Sequence, residues 1–132
     1  MLTTFLARFM GLWVVVTVMS MVANRAATFA TMEALFADPA LMWITGVFTL
    51  GLGLALVLAH NRWSEGALAA IVTFYGWAAT IKGLLFLCLP PTAQMAFYQG
   101  LHFEQYFYGY VLVALVLGGY LIYGGFNAAR RA

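Results

Sequence analysis

Six ionisable side chains could form a polar site toward one end of an otherwise apolar chain. They are Arg25, Glu33, Asp38, Lys82, His102 and Glu104. Lys82 is the most informative, because it precedes Pro90 within an apolar segment and so lies about 10 Å below the end of its helix. A charge at that depth is costly and marks a functional hypothesis. The cluster could bind a small ligand or relay an ion. Alternatively, Lys82 extends toward the headgroups and pairs with Glu33 or Glu104, which would lock helices together.

A second polar group, His60-Asn61-Arg62-Trp63, lies between two apolar segments. One interpretation is a polar turn in which Trp63 anchors the chain at the membrane interface and Arg62 contacts lipid phosphates. The other is a docking point for a partner protein. The sequence alone leaves both open.

Residues for catalysis or metal binding are sparse. His60 and His102 are expected at opposite membrane faces, so they cannot share one cofactor, and the single Cys88 has no histidine in spacing with it. His102 and Glu104 could serve as an acid/base pair in an enzyme acting on lipids or quinones, but on a helix they would point to nearly opposite sides. We therefore predict no catalytic residue, no cofactor, no metal site and no enzyme activity.

Composition explains what must position these residues. Of the 132 residues, 65% are hydrophobic and 8% are charged, whereas a soluble domain carries about 25% charged residues. So small a domain could not bury that much apolar surface in water. The net charge of +2 is too small for binding nucleic acid. We expect one integral membrane domain spanning 1–132, surrounded by membrane lipids.

Four apolar segments are long enough to cross a bilayer as helices. They cover about 2–23, 41–59, 67–89 and 106–126. The sequence thus predicts an all-α, antiparallel bundle of four transmembrane helices. Asp38-Pro39 is typical of a helix start, and Pro90-Pro91 of a helix end. Residues 61–65 are predicted to form a tight hairpin, with Asn61 left-handed and Ser64 capping the next helix. The connector 24–38 should extend the first helix or lie on the membrane surface.

Small residues recur at four-residue spacing, where helix backbones can approach closely. The second segment has Gly51, Ala55 and Ala59, the third has Ala79 and Gly83, and the fourth has Ala114 and Gly118. Such stripes indicate either a face for a partner or packing within the bundle.

Basic residues predict the orientation. Arg8, Arg62, Arg130 and Arg131 would share one side, whereas only Arg25 and Lys82 lie toward the other. Because basic residues are enriched in cytoplasmic loops, both termini are expected in the cytoplasm.

One run of residues resembles a known group of proteins. It consists of His60-Asn61-x-Trp63, Thr73-x-x-Gly76-Trp77, Lys82-Gly83 and Pro90. The run is similar to that of small, mostly uncharacterised bacterial integral membrane proteins with four helices. The resemblance implies a location in the bacterial inner membrane and includes Lys82 in the motif, but it implies no function.

Two functions follow as hypotheses. The chain could be an oligomeric or accessory subunit of an inner-membrane complex, because four short helices enclose little space and no reactive set is recognisable. The alternative is an oligomeric channel or transporter for an ion or small solute, with the cluster around Lys82 as the selecting element.

Overall fold

A computed structural model describes residues 2–131, except for the side chain of residue 129. Within this range the chain is all-α. Its six helices are α1 (Leu2–Ala23), α2 (Arg25–Ala37), α3 (Pro39–Ala59), α4 (Ala67–Cys88), α5 (Pro91–Gly100) and α6 (Phe107–Arg131). Four of them, α1, α3, α4 and α6, are long and apolar enough to cross a membrane. The predicted antiparallel bundle of four transmembrane helices is confirmed.

The connector between α1 and α3 and the connector between α4 and α6 each contain a shorter helix. Residues 25–37 form α2 as a separate helix, because Asn24 interrupts α1 and its side chain accepts a hydrogen bond from the Ala27 N–H at 3.4 Å. Residues 91–100 form α5, which starts at Pro91. Gln94 of α5 donates to the carbonyls of Phe86 and Leu89, at 3.1 and 2.9 Å, and so satisfies acceptors left free at the end of α4.

Local signals at the helix starts were partly correct. Asp38 caps α3 as predicted, since its carboxylate accepts from the N–H groups of Ala40 and Leu41 at 2.9 and 3.2 Å. The predictions for Asn61 and Ser64 were wrong. Gly66, with φ of 102°, is the residue that takes the left-handed conformation before α4, and no side chain caps that helix. Glycine adopts such a φ without steric cost, so the turn does not need Asn61.

The spans form two helix pairs, α3 with α4 and α1 with α6. Glycines allow the close approach in each pair. A Cβ atom on Gly83 would lie 2.5 Å from the Leu50 backbone nitrogen, and one on Gly11 would lie 2.9 Å from the Gly118 carbonyl oxygen. Gly83 and Gly118 therefore belong to packing within the bundle. The stripe of Gly51, Ala55 and Ala59 on α3 is instead exposed.

A compact core joins the two pairs at one end of the bundle. It is formed by buried side chains from all four spans: Leu6, Ala7, Met10, Leu56, Val72 and Leu121. Leu68, Ile71 and Tyr75 of α4 pack against it. We call this end, with loop 60–66, the hairpin end. The opposite end, with α2 and α5, is the groove end.

Candidate functional site

His60 is the centre of a hydrogen-bond network at the hairpin end. Its side chain is 1% exposed. The ring Nε2 lies 2.7 Å from Thr3 Oγ1, and Nδ1 lies 3.2 Å from Thr73 Oγ1. His60 was expected in a polar turn, and its burial corrects that expectation. The ring instead connects the first turn of α1 to α4.

In a neutral His60 ring, the Thr73 hydroxyl determines which nitrogen donates. It has one proton, and its shortest acceptor is the Ala69 carbonyl at 2.9 Å. Its lone pairs then accept from the Arg62 backbone N–H at 3.0 Å and from His60 Nδ1–H. His60 Nε2 is left to accept the hydroxyl proton of Thr3. Every strong donor and acceptor of this buried group is thereby paired, as buried polar groups require.

The other three residues of the group His60-Asn61-Arg62-Trp63 are exposed. Asn61 Oδ1 accepts from the indole N–H of Trp77 at 3.3 Å, which ties the loop to α4 a second time. Arg62 forms an ion pair with Glu65 at 2.9 Å. Trp63 is 55% exposed, consistent with an interfacial anchor.

At the groove end, three of the six predicted cluster residues line one open groove of about 820 Å³. Glu33 comes from α2, whereas His102 and Glu104 come from the turns at 101–106. Because this stretch is not helical, His102 and Glu104 reach the same groove. His102 has a φ of 47°, a conformation uncommon outside glycine. Aromatic rings of Phe29, Tyr98 and Phe103 complete the main walls. We call this space the acidic groove.

The acidic groove has a negative electrostatic character. Burial raises the pKa of Tyr98, and the negative charges of Glu33 and Glu104 raise that pKa further. Both carboxylates therefore act on the same phenol group. Within residues 2–131, neither carboxylate forms a hydrogen bond or an ion pair with the protein.

Arg25 lies beside the acidic groove but does not neutralise it through an ion pair in the described chain. Its guanidinium donates to the backbone carbonyl of Glu104 at 3.1 Å. It also lies 5.2, 5.4 and 5.2 Å from the ring centres of Phe29, Phe107 and Tyr108. These are cation–π distances, so Arg25 is held by aromatic rings.

Asp38 and Lys82 are not among the groove's lining residues. Asp38 is used as the cap of α3. The expected pairing of Lys82 with Glu33 or Glu104 is not found among the described residues, because Lys82 Nζ lies over the Phe86 ring, 5.5 Å from its centre. The six predicted residues thus separate into three that line the groove with Arg25 beside them, the helix cap Asp38 and an isolated Lys82.

Lys82 lies on the same face of α4 as Tyr75, but beyond the part of that face that the core covers. It follows Tyr75 by seven residues, and residues seven apart share a helix face. Tyr75 packs against the core at the hairpin end, yet the Lys82 side chain is exposed. The exposed side chains of Ala78, Ile81 and Leu85 adjoin it. We call these four residues the Lys82 face.

Sequence reasoning missed the hydrogen-bond partners of His60. Thr3 and Thr73 are common residue types without a local signal, although Thr73 belongs to the run from His60 to Pro90 noted above. That run is now largely explained by packing. Thr73 and Trp77 bind the loop. A Cβ atom on Gly83 would collide with α3, and one on Gly76 would lie 3.1 Å from the Leu56 Cβ, which is a tight contact. Across residues 2–131, no three His, Cys, Asp or Glu side chains gather as a metal site would require.

Comparison of the chain with models of known families, with curated proteins and with solved structures finds no match. The resemblance of the 60–90 segment to small bacterial membrane proteins therefore stays a prediction.

Proposed function

We propose that the chain is an accessory subunit that binds another membrane polypeptide through the Lys82 face. The observation that carries the proposal is the exposure of a lysine within a transmembrane helix. A charge in that position requires a counter-charge, a polar partner or access to the headgroups. Its aromatic contact with Phe86 leaves the ammonium without an acidic partner among the described residues.

The sequence of the spans favours a different polypeptide over a second copy. None of the four spanning helices contains Asp or Glu. Another copy could not place a carboxylate beside Lys82 at the same depth from its own spans. A partner helix carrying an acidic residue would do so, and a charge-assisted hydrogen bond is strong in that environment.

The exposed face of α3 adds apolar area for an assembly. Phe48 is 74% exposed and Leu58 is 84% exposed. Gly51 has open space around it, so another helix could approach its backbone. These features support assembly, but the charge on Lys82 is what selects the partner.

The proposed location is the bacterial inner membrane, with the hairpin end in the cytoplasm. Arg8 supports this orientation, because its Nε donates to the Gly125 carbonyl at 3.0 Å and so belongs to the arginine-rich end. In a Cys88→Ala background, Ser64→Cys should resist an impermeant maleimide in intact cells, whereas Gln99→Cys should react. The reverse labelling would contradict the orientation.

Native mass spectrometry after gentle extraction from native membranes tests the subunit proposal. We expect a complex with a defined second polypeptide, loss of that polypeptide in Lys82→Met, and retention in Lys82→Arg. Arg130→Gln is the matched control, since it removes a positive charge at the other end of the bundle. A monomer, or a complex unchanged by Lys82→Met, would overturn the proposal. A pure homo-oligomer would favour the channel or transporter instead.

A further inference from the structure

The acidic groove combines two carboxylates with three aromatic rings at the end of the bundle that lies outside the spans. Glu33 and Glu104 supply the charges, and Phe29, Tyr98 and Phe103 supply the rings. We propose that this groove binds the alkylammonium group of a small organic cation. The inference is independent of the Lys82 face, which lies elsewhere on the molecule.

One ring of these walls, Phe29, already contacts an organic cation, which belongs to the protein itself. The Arg25 guanidinium lies 5.2 Å from the centre of the Phe29 ring. Phe29 also contacts Phe103 edge-on, with ring centres 5.9 Å apart, and Phe103 lies 6.0 Å from Tyr98. Packed rings of this kind present fixed negative faces, which attract ammonium groups and cost little conformational entropy on binding.

The carboxylates provide the long-range attraction. Glu33 and Glu104 line the same groove as Tyr98, and their charges raise the pKa of the Tyr98 phenol. Neither carboxylate forms a hydrogen bond or ion pair with any residue of the 2–131 range. Two unneutralised charges beside aromatic rings attract a monovalent cation more strongly than either feature alone.

The lining favours an organic cation over a metal ion. Calcium needs six to eight oxygen ligands and magnesium a near-octahedral set, and the carboxylates that line the described groove are those of Glu33 and Glu104, on different segments. Transition metals need clustered His, Cys or carboxylate ligands. Glu33, His102 and Glu104 line one groove, but within residues 2–131 they do not gather closely enough to hold a metal ion. Rings have no role in such sites, whereas they form the characteristic wall for alkylammonium groups.

The size of the groove fits a small molecule or a lipid headgroup. Its volume is about 820 Å³, within the usual range for ligand sites. The alkylammonium could therefore belong to a soluble amine or to an aminophospholipid. Both sources share the recognised chemistry, and the test separates them.

Choline is the first probe, with its neutral isostere 3,3-dimethylbutan-1-ol as the control ligand. Binding to the full chain in a non-ionic detergent is measured by saturation-transfer NMR and calorimetry. For the lipid source, the chain is placed in phosphatidylglycerol nanodiscs with and without phosphatidylethanolamine, and retained lipid is measured by native mass spectrometry. Glu33→Gln/Glu104→Gln removes both charges, and Glu65→Gln removes a carboxylate outside the groove.

We expect choline to bind at least about tenfold more tightly than the neutral isostere, because the isostere lacks the charge. The double variant should lose about tenfold in affinity, whereas Glu65→Gln should not. Selective retention of phosphatidylethanolamine, abolished in the double variant, would support the proposal and identify a lipid source. Failure of both probes to bind would overturn it. Equal binding of choline and its isostere, or an unchanged affinity in the double variant, would do the same.

Discussion

The Nε2 atom of His60 lies 2.7 Å from the Oγ1 atom of Thr3, so the loop after α3 is joined to the first turn of α1. This contact connects the two helix pairs at the hairpin end, where the core also lies. Seven residues beyond Tyr75 on α4, Lys82 is exposed on the same helix face. The four spans thus pack together at the hairpin end, and the charged Lys82 side chain is exposed beyond that core.

Replacement of Thr73 by valine should destabilise the hairpin end. The hydroxyl is fully buried and accepts from the Arg62 N–H while donating to the Ala69 carbonyl. Valine keeps the shape but leaves buried groups unpaired, so we expect a loss of about 2–3 kcal/mol in the free energy of unfolding. Denaturation of the purified protein measures this, with Thr73→Ser as the control that keeps the hydroxyl. Equal stability of the valine and wild-type proteins would contradict the network.

Replacement of Gly83 by alanine should disrupt the α3/α4 pair. The new Cβ would lie 2.6 Å from the Leu50 Cα, which belongs to a helix backbone that cannot yield locally. Overpacking of this kind costs about 1–3 kcal/mol. Gly51→Ala is the matched control, because nothing lies within 4 Å of its added Cβ. We expect no loss of thermal stability there. Equal effects of the two substitutions on stability would contradict the close approach of α3 and α4 at Gly83.

Removal of the groove carboxylates should lower the pKa of Tyr98. In the folded protein that pKa lies above the ordinary value of 10.0, first because of burial and then because of the charges on Glu33 and Glu104. Loss of those charges makes the phenolate easier to form, so the pKa moves down, while the contribution from burial remains. NMR titration of tyrosine Cζ signals, with Tyr98→Phe for assignment, measures the shift. An unchanged pKa in Glu33→Gln/Glu104→Gln would show that the carboxylates do not act on Tyr98.

The fold could be predicted largely from the length of the apolar segments, since a helix pairs every backbone group within one such segment in lipid. The Asp38 cap was predictable for a similar reason, because Asp-Pro has a local mechanism. The conformations of Asn61 and Ser64 were not predictable. Asn61, Ser64 and Gly66 are all residue types that favour turns or caps, and the sequence does not show which of them takes the role. In the structure it is Gly66. The predicted pairing of Lys82 with Glu33 or Glu104 was also incorrect for the described residues. The rotation of each helix about its own axis decides which side chains meet, and the sequence does not show that rotation.

The lining of the acidic groove was predicted only in part. The sequence predicted that Glu33, His102 and Glu104 would share one side of the membrane, and the structure brings them to one groove. The aromatic walls were not predicted, because Phe29 is far in sequence from Tyr98 and Phe103 and aromatic residues are frequent in this chain. Their approach depends on how α2 and α5 pack.

Site-specific photo-crosslinking in native membranes tests whether the Lys82 face binds a second polypeptide. A photoreactive residue replaces Leu85 on the Lys82 face, and the control replaces Val113, which is 59% exposed on α6. We expect Leu85, and not Val113, to crosslink to one polypeptide at a segment with Asp or Glu within or beside a transmembrane helix, and Lys82→Met to abolish the product. Crosslinks from position 85 only to lipid or to a second copy of this chain, or the same product from position 113, would contradict the account.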